Sequence, residues 1–447
     1  MRRGQLTAAT RAPWRWLALL IAALLAVAGW QRLVAPTFDA VPAAAVVTQG
    51  WGPARYDAAL AALDRDVTRE RYRAEVDPSS WLRLQGLAIV LHARGQLTGS
   101  HADLAEALDV ADRARRLAPE ASGPVLARAA SALSLHRNDI AAGEVARMAN
   151  FAIAPDVIEQ AEAQAILGDV ALYGGKYGAA KRHYEAARTL DAGIDRGVGI
   201  GVAVRMADWH RHMGDFPEAR QLLEGVLTNG GPNPWTRAML LLQIGAVDLQ
   251  TGKWQAAEAR FAEADRAFPG WWLAKAHLGQ MAAVRGDFVR AEELYGEAMQ
   301  GAARPSVMDA MAAVLGAAGR KVEAKALSTK ARALWLERVG SHPEAYADHA
   351  FDAVLAEGDT AKAWRLAVLN YRARPYGDGR IGLARAAAAR GRDARAQAVL
   401  EELERTGWRS TEQYRVLAEV CERLGDADCV QQARDKALAI SPHAFDP

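Results

Sequence analysis

The 447 residues carry 55 basic and 53 acidic side chains, a formal charge of +2, which excludes the strongly basic surface of a dedicated nucleic-acid binder. Hydrophobic residues make up 51% and charged residues 24%, the balance of a packed globular protein. Two cysteines exclude a disulfide scaffold, an iron–sulfur protein and a cysteine-based structural zinc site.

Residues 1–15 hold Arg2, Arg3, Arg11 and Arg15 and no acid, and read as a basic cytoplasmic tail. An uncharged apolar run of 15 residues, Trp16 to Trp30, follows. Basic residues before such a run keep the amino terminus in the cytoplasm, and Trp14, Trp16 and Trp30 suit the interfacial belts. A comfortable span needs roughly 20 residues. Snorkelling by Arg15 and Arg32, with Leu33 to Ala35 partly buried, completes it, so residues 16–35 read as a transmembrane anchor. The alternative is a signal segment cleaved after Ala26-Val27-Ala28. Either way residues 36–447 are expected outside the cytoplasm: a single-pass inner-membrane protein, or a soluble periplasmic one after cleavage. Pro36, Pro42, Pro53, Gly50 and Gly52 mark residues 36–55 as an extended tether.

Val and Ile are sparse beside Ala, Leu, Arg and Glu, so the remainder reads as all-α. Tyr56 to Ala74 predicts a helix whose Leu60 and Leu63 pack on a first hairpin. That hairpin is predicted over Ser79–Arg94 and His101–Leu117, turning at Gly95 and ended by Pro119. Ser122–Arg137 and Asp139–Ile153, ended by Pro155, predict a second. Residues 56–155 thus form degenerate repeats, as expected at the end of a stack.

From residue 156 to 447 a repeat is explicit. Gly175, Gly214, Gly252, Gly286, Gly319, Gly358, Gly391 and Gly425 are spaced 33 to 39 residues apart. Five residues after each stands Ala180, Ala219, Ala257, Ala291, Ala324, Ala363, Ala396 or Val430. Seven before stand Gly168, Ala207, Gly245, Gly279, Ala312, Phe351, Ala384 and Ala418. A period near 34 predicts helix–turn–helix units stacked into an α-solenoid. Glycine ends the first helix at small conformational cost, small residues allow close helix approach, and Tyr184, Leu223, Phe261 and Tyr295 fill the seam between hairpins. Pro269, Pro375 and Pro442 end second helices.

The pattern resembles the tetratricopeptide repeat family, as found in membrane-anchored bacterial-type proteins. The best unit runs from Ala238 to Pro269 through Ile244, Gly245, Gly252, Trp254, Ala257, Phe261 and Ala264. The last, Thr411 to Pro442, matches at Tyr414, Leu417, Ala418 and Ala437 but departs at Val430 and Arg434. The resemblance spans Asp156 to Pro442 and implies a protein-interaction module whose first helices line a concave groove. Groove positions of the family fall on Asp169, Tyr173, Arg205, Asp208, His212, Met239, Leu242, Gln243, His277, Gln280 and Asp348. The Lys and Asn pair with which some members clamp a terminal carboxylate is absent.

No catalytic, metal or cofactor constellation is read. Gly197, Gly199 and Gly201 lack dinucleotide-fingerprint spacing and read as a loose connection. Gly174-Gly175-Lys176 has no following Ser or Thr. His210 and His212 point to different helix faces, and with His183 they read as surface or seam residues, as do His342 and His349. Cys421 and Cys429 flank the last turn, where an oxidising compartment permits a disulfide; two small buried hydrophobes is the other reading. The function expected is a non-catalytic, membrane-tethered envelope scaffold for protein or peptide partners. The alternative is an extracytoplasmic accessory subunit handling a solute, metal or cofactor through groove histidines and tryptophans.

Overall fold

The computed structural model describes residues 52–192, 200–229 and 233–446. The basic tail, the apolar run, residues 36–51 of the tether, Gly197 and Gly199 lie outside the described residues. Among the described residues no helix is long and apolar enough to cross a membrane.

Among the described residues a helix, α1 (Tyr56–Val76), precedes ten antiparallel hairpins. Hairpin 1 pairs α2 (Trp81–Thr98) with α3 (His101–Leu117), hairpin 2 α4 (Val125–Ser134) with α5 (Asn138–Arg147), and hairpin 3 α6 (Val157–Tyr173) with α7 (Tyr177–Ala192). Hairpin 4 pairs α8 (Ile200–His212) with α9 (Phe216–Asn229), hairpin 5 α10 (Pro234–Gln250) with α11 (Trp254–Ala267), and hairpin 6 α12 (Trp272–Val284) with α13 (Phe288–Ala298). Hairpin 7 is α14 (Pro305–Ala317) with α15 (Lys321–Ser341), and hairpin 8 is α16 (Pro343–Ala356) with α17 (Thr360–Ala373). Hairpin 9 is α18 (Gly377–Ala388) with α19 (Asp393–Arg405), and hairpin 10 is α20 (Thr411–Leu424) with α21 (Ala427–Ile440).

All eight repeat glycines sit at hairpin turns with φ between 69° and 94°, the left-handed region that side chains with a Cβ avoid. In six of these eight hairpins the residues seven before and nine after the glycine complement one another in size; hairpin 7 departs, with Ala312 and Ser328. A Cβ on Gly168 would stand 2.3 Å from the Tyr184 ring, one on Gly245 2.4 Å from Phe261, and one on Gly279 2.9 Å from Tyr295. Where the first helix offers Ala207 or Ala384, the second offers the smaller Leu223 or Leu400, and all four are buried. Hairpin 8 inverts the pair, with Phe351 on the first helix and Ala367 on the second, in one core cluster. Hairpin 10 ends the series with exposed Arg434, whose guanidinium lies 5.2 Å over Phe445.

The amino-terminal boundaries differ from expectation. Hairpin 1 turns at Gly99, φ 72°; Gly95 lies inside α2, where a Cβ would meet the Leu104 side chain at 2.7 Å. Hairpin 2 is shorter than expected, and its turn uses buried His136 at φ 56°. Gly201 belongs to helix α8 rather than to a loose connection. Leu60 and Leu63 of α1 pack on a core that joins Leu97 of hairpin 1 to Phe268 and Trp271, far along the chain.

That last contact belongs to a seam. First helices touch the first helices of the next hairpin, as at α2–α4, α4–α6, α6–α8, α16–α18 and α18–α20, so they occupy the inside of the curve. The curve is tight enough for the coil to close upon itself. At hairpin 1, the indole N–H groups of Trp271 and Trp272 both donate to the Leu97 carbonyl at 3.2 Å, and Arg304 donates to the Thr98 carbonyl at 3.1 Å. His101 Nδ1 stands 3.0 Å from the Tyr346 hydroxyl. His136 Nε2 stands 2.8 Å from Arg374 Nη1, and the Tyr173 and Tyr376 rings meet edge to face at 5.4 Å. Further on, the Arg409 amide donates to the His212 carbonyl at 2.9 Å and Trp254 stacks on His443 at 4.4 Å. The turn edges of hairpins 1 to 5 thus rest on the junctions that follow hairpins 5 to 10. By contrast, a Cβ at Gly286, Gly319, Gly358, Gly391 or Gly425 would meet nothing within 4 Å. Among the described residues, no distant part of the chain lies against these five turn glycines.

Candidate partner-binding face

The concave residues named from the repeat lie on first helices, but most of them do not line an open groove. Asp169, Tyr173, Arg205, Asp208, His212, Met239, Leu242 and His277 are buried, and Gln243, Gln280 and Asp348 are half-buried. In hairpins 3 to 5 these side chains are covered by packed neighbours.

Their polar groups satisfy one another. Arg205 donates to Asp169 through Nε at 2.7 Å and to both oxygens of Glu162 at 2.9 and 3.2 Å, and the Tyr184 hydroxyl donates to Asp169 at 2.9 Å. Burial raises the Asp169 carboxyl to about 6, against the opposing pull of Arg205 and the Tyr184 hydrogen bond. Burial likewise works against the guanidinium charge, and Asp169 and Glu162 outweigh it, so Arg205 is held above its ordinary value. A guanidinium shared by two carboxylates is a cross-link between α6 and α8, and removing it would strand buried charge.

Asp208 pairs with Arg211 and, at 3.3 Å, with His212 Nε2; His212 stacks on Trp408 of the seam at 4.1 Å. Met239 and Leu242 belong to the main core. His277 stacks on Phe261 at 4.7 Å, its Nδ1 is 3.3 Å from Gln280 Oε1, and burial lowers it to about 4. Asp348 accepts from buried Arg374 at 2.7 Å. The remaining histidines separate: His183 meets Gln164 at 2.8 Å, His210 meets Asp215 at 2.9 Å, His342 meets the His101 ring at 5.0 Å, and His349 stacks on Trp335 at 4.7 Å. Among the described residues no three His, Cys, Asp or Glu side chains are placed to hold a metal ion. Cys421 and Cys429 form a disulfide across the last turn, Cα to Cα 5.9 Å.

The inner face opens in hairpins 7 to 10. Ser306, Ala313 and Ala317 of α14, Asp352 and Ala356 of α16, and Glu412, Arg415 and Glu419 of α20 are exposed, while Asp309, Asp378 and Arg385 are half-buried between them. Arg385 bonds Asp352 at 2.7 Å and reaches Glu412 at 3.3 Å, with its guanidinium 5.2 Å over the Phe351 ring. The Glu412 side chain keeps 55% of its surface accessible, yet it stands inside the curve with protein around it. Desolvation pushes its carboxyl up to about 7, with Arg385 opposing and Asp378 and Asp352 adding to the rise. Asp309 accepts the Trp335 indole N–H at 2.7 Å and is also raised by burial. The strip has a floor of small residues and an excess of carboxylates, an arrangement suited to binding.

Repeat spacing identified which helix faces look inward but not which of them remain accessible. The signal for closure was in the chain: Trp271, Trp272, Tyr376 and Trp408 stand at junctions between hairpins, where a solvated loop has no use for an aromatic ring.

No protein-family model and no curated protein matches the chain. Among solved structures, it is similar to yeast Tom70 at 14% identity, over 86% of this chain and 88% of that one, with a TM-score of 0.38. It is similar to Pseudomonas aeruginosa PilF at 16% identity, over 47% and 90%, TM-score 0.37. A tetratricopeptide repeat protein from Parabacteroides merdae aligns at 14% identity over 54% and 93%, TM-score 0.34.

Proposed function

We propose that this protein is a non-catalytic scaffold, tethered to the inner membrane through residues 16–35, that holds protein or peptide partners of the cell envelope on its extracytoplasmic solenoid. The observation that carries the binding role is the contrast along the inner face: closed and self-satisfied in hairpins 3 to 5, open and lined by small and acidic residues in hairpins 7 to 10. Solenoids bind on extended concave surfaces of this kind. The tether reading rests on the four arginines ahead of the apolar run and on its flanking tryptophans.

Site-specific photo-crosslinking tests the binding role. A photoreactive residue at Ala313, Ala317 or Ala356 of the full chain in its membrane is expected to trap a discrete partner. The same residue at Glu293 or Glu401, on second helices, is expected to trap none. Trapping from the second helices alone would refute a concave-face scaffold. A reporter fused after Pro447 is expected to be active only outside the cytoplasm, and sequencing the mature amino terminus separates anchor from cleaved signal.

A further inference from the structure

We infer that the open inner face of hairpins 7 to 10 takes an extended, Lys- or Arg-bearing peptide segment of its partner. The inference rests on the scaffold reading above and adds the chemistry of the partner.

The charge is the first argument. Asp309, Asp352, Asp378, Glu412 and Glu419 come from four successive first helices and stand around Arg385 and Arg415. Their mutual influence is direct: Asp352 acts on both Asp309 and Glu412, Asp378 on Glu412, and Glu419 on Arg385. Asp348, also on a first helix, pairs with Arg374. One guanidinium, Arg385, thus serves two carboxylates on hairpins 8 and 10. Hairpin 3 has the same ratio, Arg205 against Asp169 and Glu162, but there all three are buried together, whereas Asp352, Glu412 and Glu419 are open to solvent. On the open face carboxylates thus outnumber the guanidinium groups of Arg385 and Arg415, and a cationic segment complements it.

Shape is the second. Ser306, Ala313 and Ala317 on α14 and Ala356 on α16 are exposed and small, so a backbone can approach the helices closely. Neighbouring helix axes lie roughly 10 Å apart, and an extended chain advances about 3.3 Å per residue. Crossing four first helices therefore takes a segment of about nine residues, with alternate side chains directed at the carboxylates.

The third is direction. Glu412 keeps its accessibility on the inner face beside Arg385, so an arriving ammonium or guanidinium reaches it without displacing packed side chains. Its proton leaves as the cation arrives, which makes binding release protons near neutral pH.

The test uses the full chain in detergent and fluorescein-labelled dodecapeptides of alternating Lys-Ala, Ser-Ala and Glu-Ala, read by anisotropy. The Lys-Ala peptide is expected to bind, with affinity falling in 0.5 M salt, and the other two to bind at least tenfold more weakly. The variant Asp352→Asn/Glu412→Gln/Glu419→Gln is expected to lose at least tenfold. Glu293→Gln/Glu401→Gln/Asp435→Asn, which removes three acids from second helices, is expected to bind as wild type does. Ala313→Arg/Ala356→Arg puts cations at exposed positions without touching the ion pairs, and is expected to abolish binding if the first variant does not fold. Equal binding of the Lys-Ala peptide to the wild type and to the folded inner-face variants would overturn the inference, as would its failure to bind. If crosslinks from Ala313 or Ala356 trap a partner segment without Lys or Arg, the basic class falls while the scaffold reading stands. If no partner is trapped from the inner face, the scaffold reading falls with it.

Discussion

Replacing Gly245 with Ala tests the size complementarity within hairpins. In an exposed helix this change is stabilising by about 1 kcal/mol, through propensity. Here the added methyl would stand 2.4 Å from one carbon of the Phe261 ring and 2.8 Å from another. That ring is fully buried and has His277 stacked on it, so it has little room to withdraw. Overpacking of this kind costs about 1–3 kcal/mol, and subtracting the propensity gain leaves a net loss of up to roughly 2 kcal/mol. Phe261→Leu alone leaves a gap beside Gly245 and costs roughly 1–2 kcal/mol. The double variant recreates the pairing the chain itself uses at Ala207 with Leu223 and at Ala384 with Leu400, so it is expected to recover most of both losses, a coupling of about 1–2 kcal/mol. Urea denaturation of the four proteins, followed by circular dichroism, gives the cycle. Additive losses, or a Gly245→Ala variant more stable than wild type, would refute the pairing rule.

Ala257→Asp would bury an unpaired carboxylate in a helix crossing, with a loss of roughly 3 kcal/mol or more in the same denaturation assay. Arg205→Met would leave Glu162 and Asp169 buried without their cation, a loss of about 3–5 kcal/mol. It is a core variant and not a binding one, and so is Arg220→Ala, whose guanidinium pairs with fully buried Asp248. Burial raises Glu412 from 4.5 to about 7, so the folded state holds its proton more tightly than the unfolded chain. Stability is therefore expected to fall as pH rises from 4.5 toward 7, and Glu412→Gln to flatten that limb in melts taken across the range. Reducing Cys421–Cys429, which closes a loop of eight intervals, is expected to cost about 2–3 kcal/mol on a loop-entropy estimate. Melting of a Cys421→Ala/Cys429→Ala variant should then be indifferent to reductant. Trp272→Ala/Trp408→Ala removes the indole bonded to the Leu97 carbonyl and the one stacked on His212. Small-angle scattering should report a larger radius of gyration for it while far-ultraviolet dichroism stays helical.

The hairpin interior was legible because its rules are local. A turn glycine and a size-matched pair seven before and nine after it fall within one repeat, and each has one structural task. Hairpin 2 escapes the pattern for the same reason: it has no turn glycine, and His136 adopts the left-handed conformation in its place. The inner face was half legible. Periodicity places Arg205, Asp208 and Met239 on first helices, but whether an inward residue meets solvent depends on how sharply the stack bends. That is a sum of small rotations over many repeats, and no single unit announces it. The seam partners of His101 and His136 lie 245 and 238 residues away, beyond any repeat-length pattern.

The same separations change what kind of object the molecule is when it unfolds. A linear repeat array melts like a zip fastener, each unit answering only to the two beside it, and its ends fray independently of its middle. Here α1 and hairpin 1 are bonded to the junctions around hairpins 6 and 7, and hairpin 4 to the junction before hairpin 10. Every unit along the seam has a neighbour on the next lap, as bricks do in a round chimney. Fraying at the amino terminus therefore uncovers Trp271 and Trp272 in the middle of the chain, and local damage spreads sideways. During synthesis the first hairpins are complete long before their second-lap partners exist, so the Leu97 and His136 edges wait exposed until the later hairpins arrive. Long-range closure of this kind is slow, and it places the most aggregation-prone moment of this protein's life after half of it has already folded.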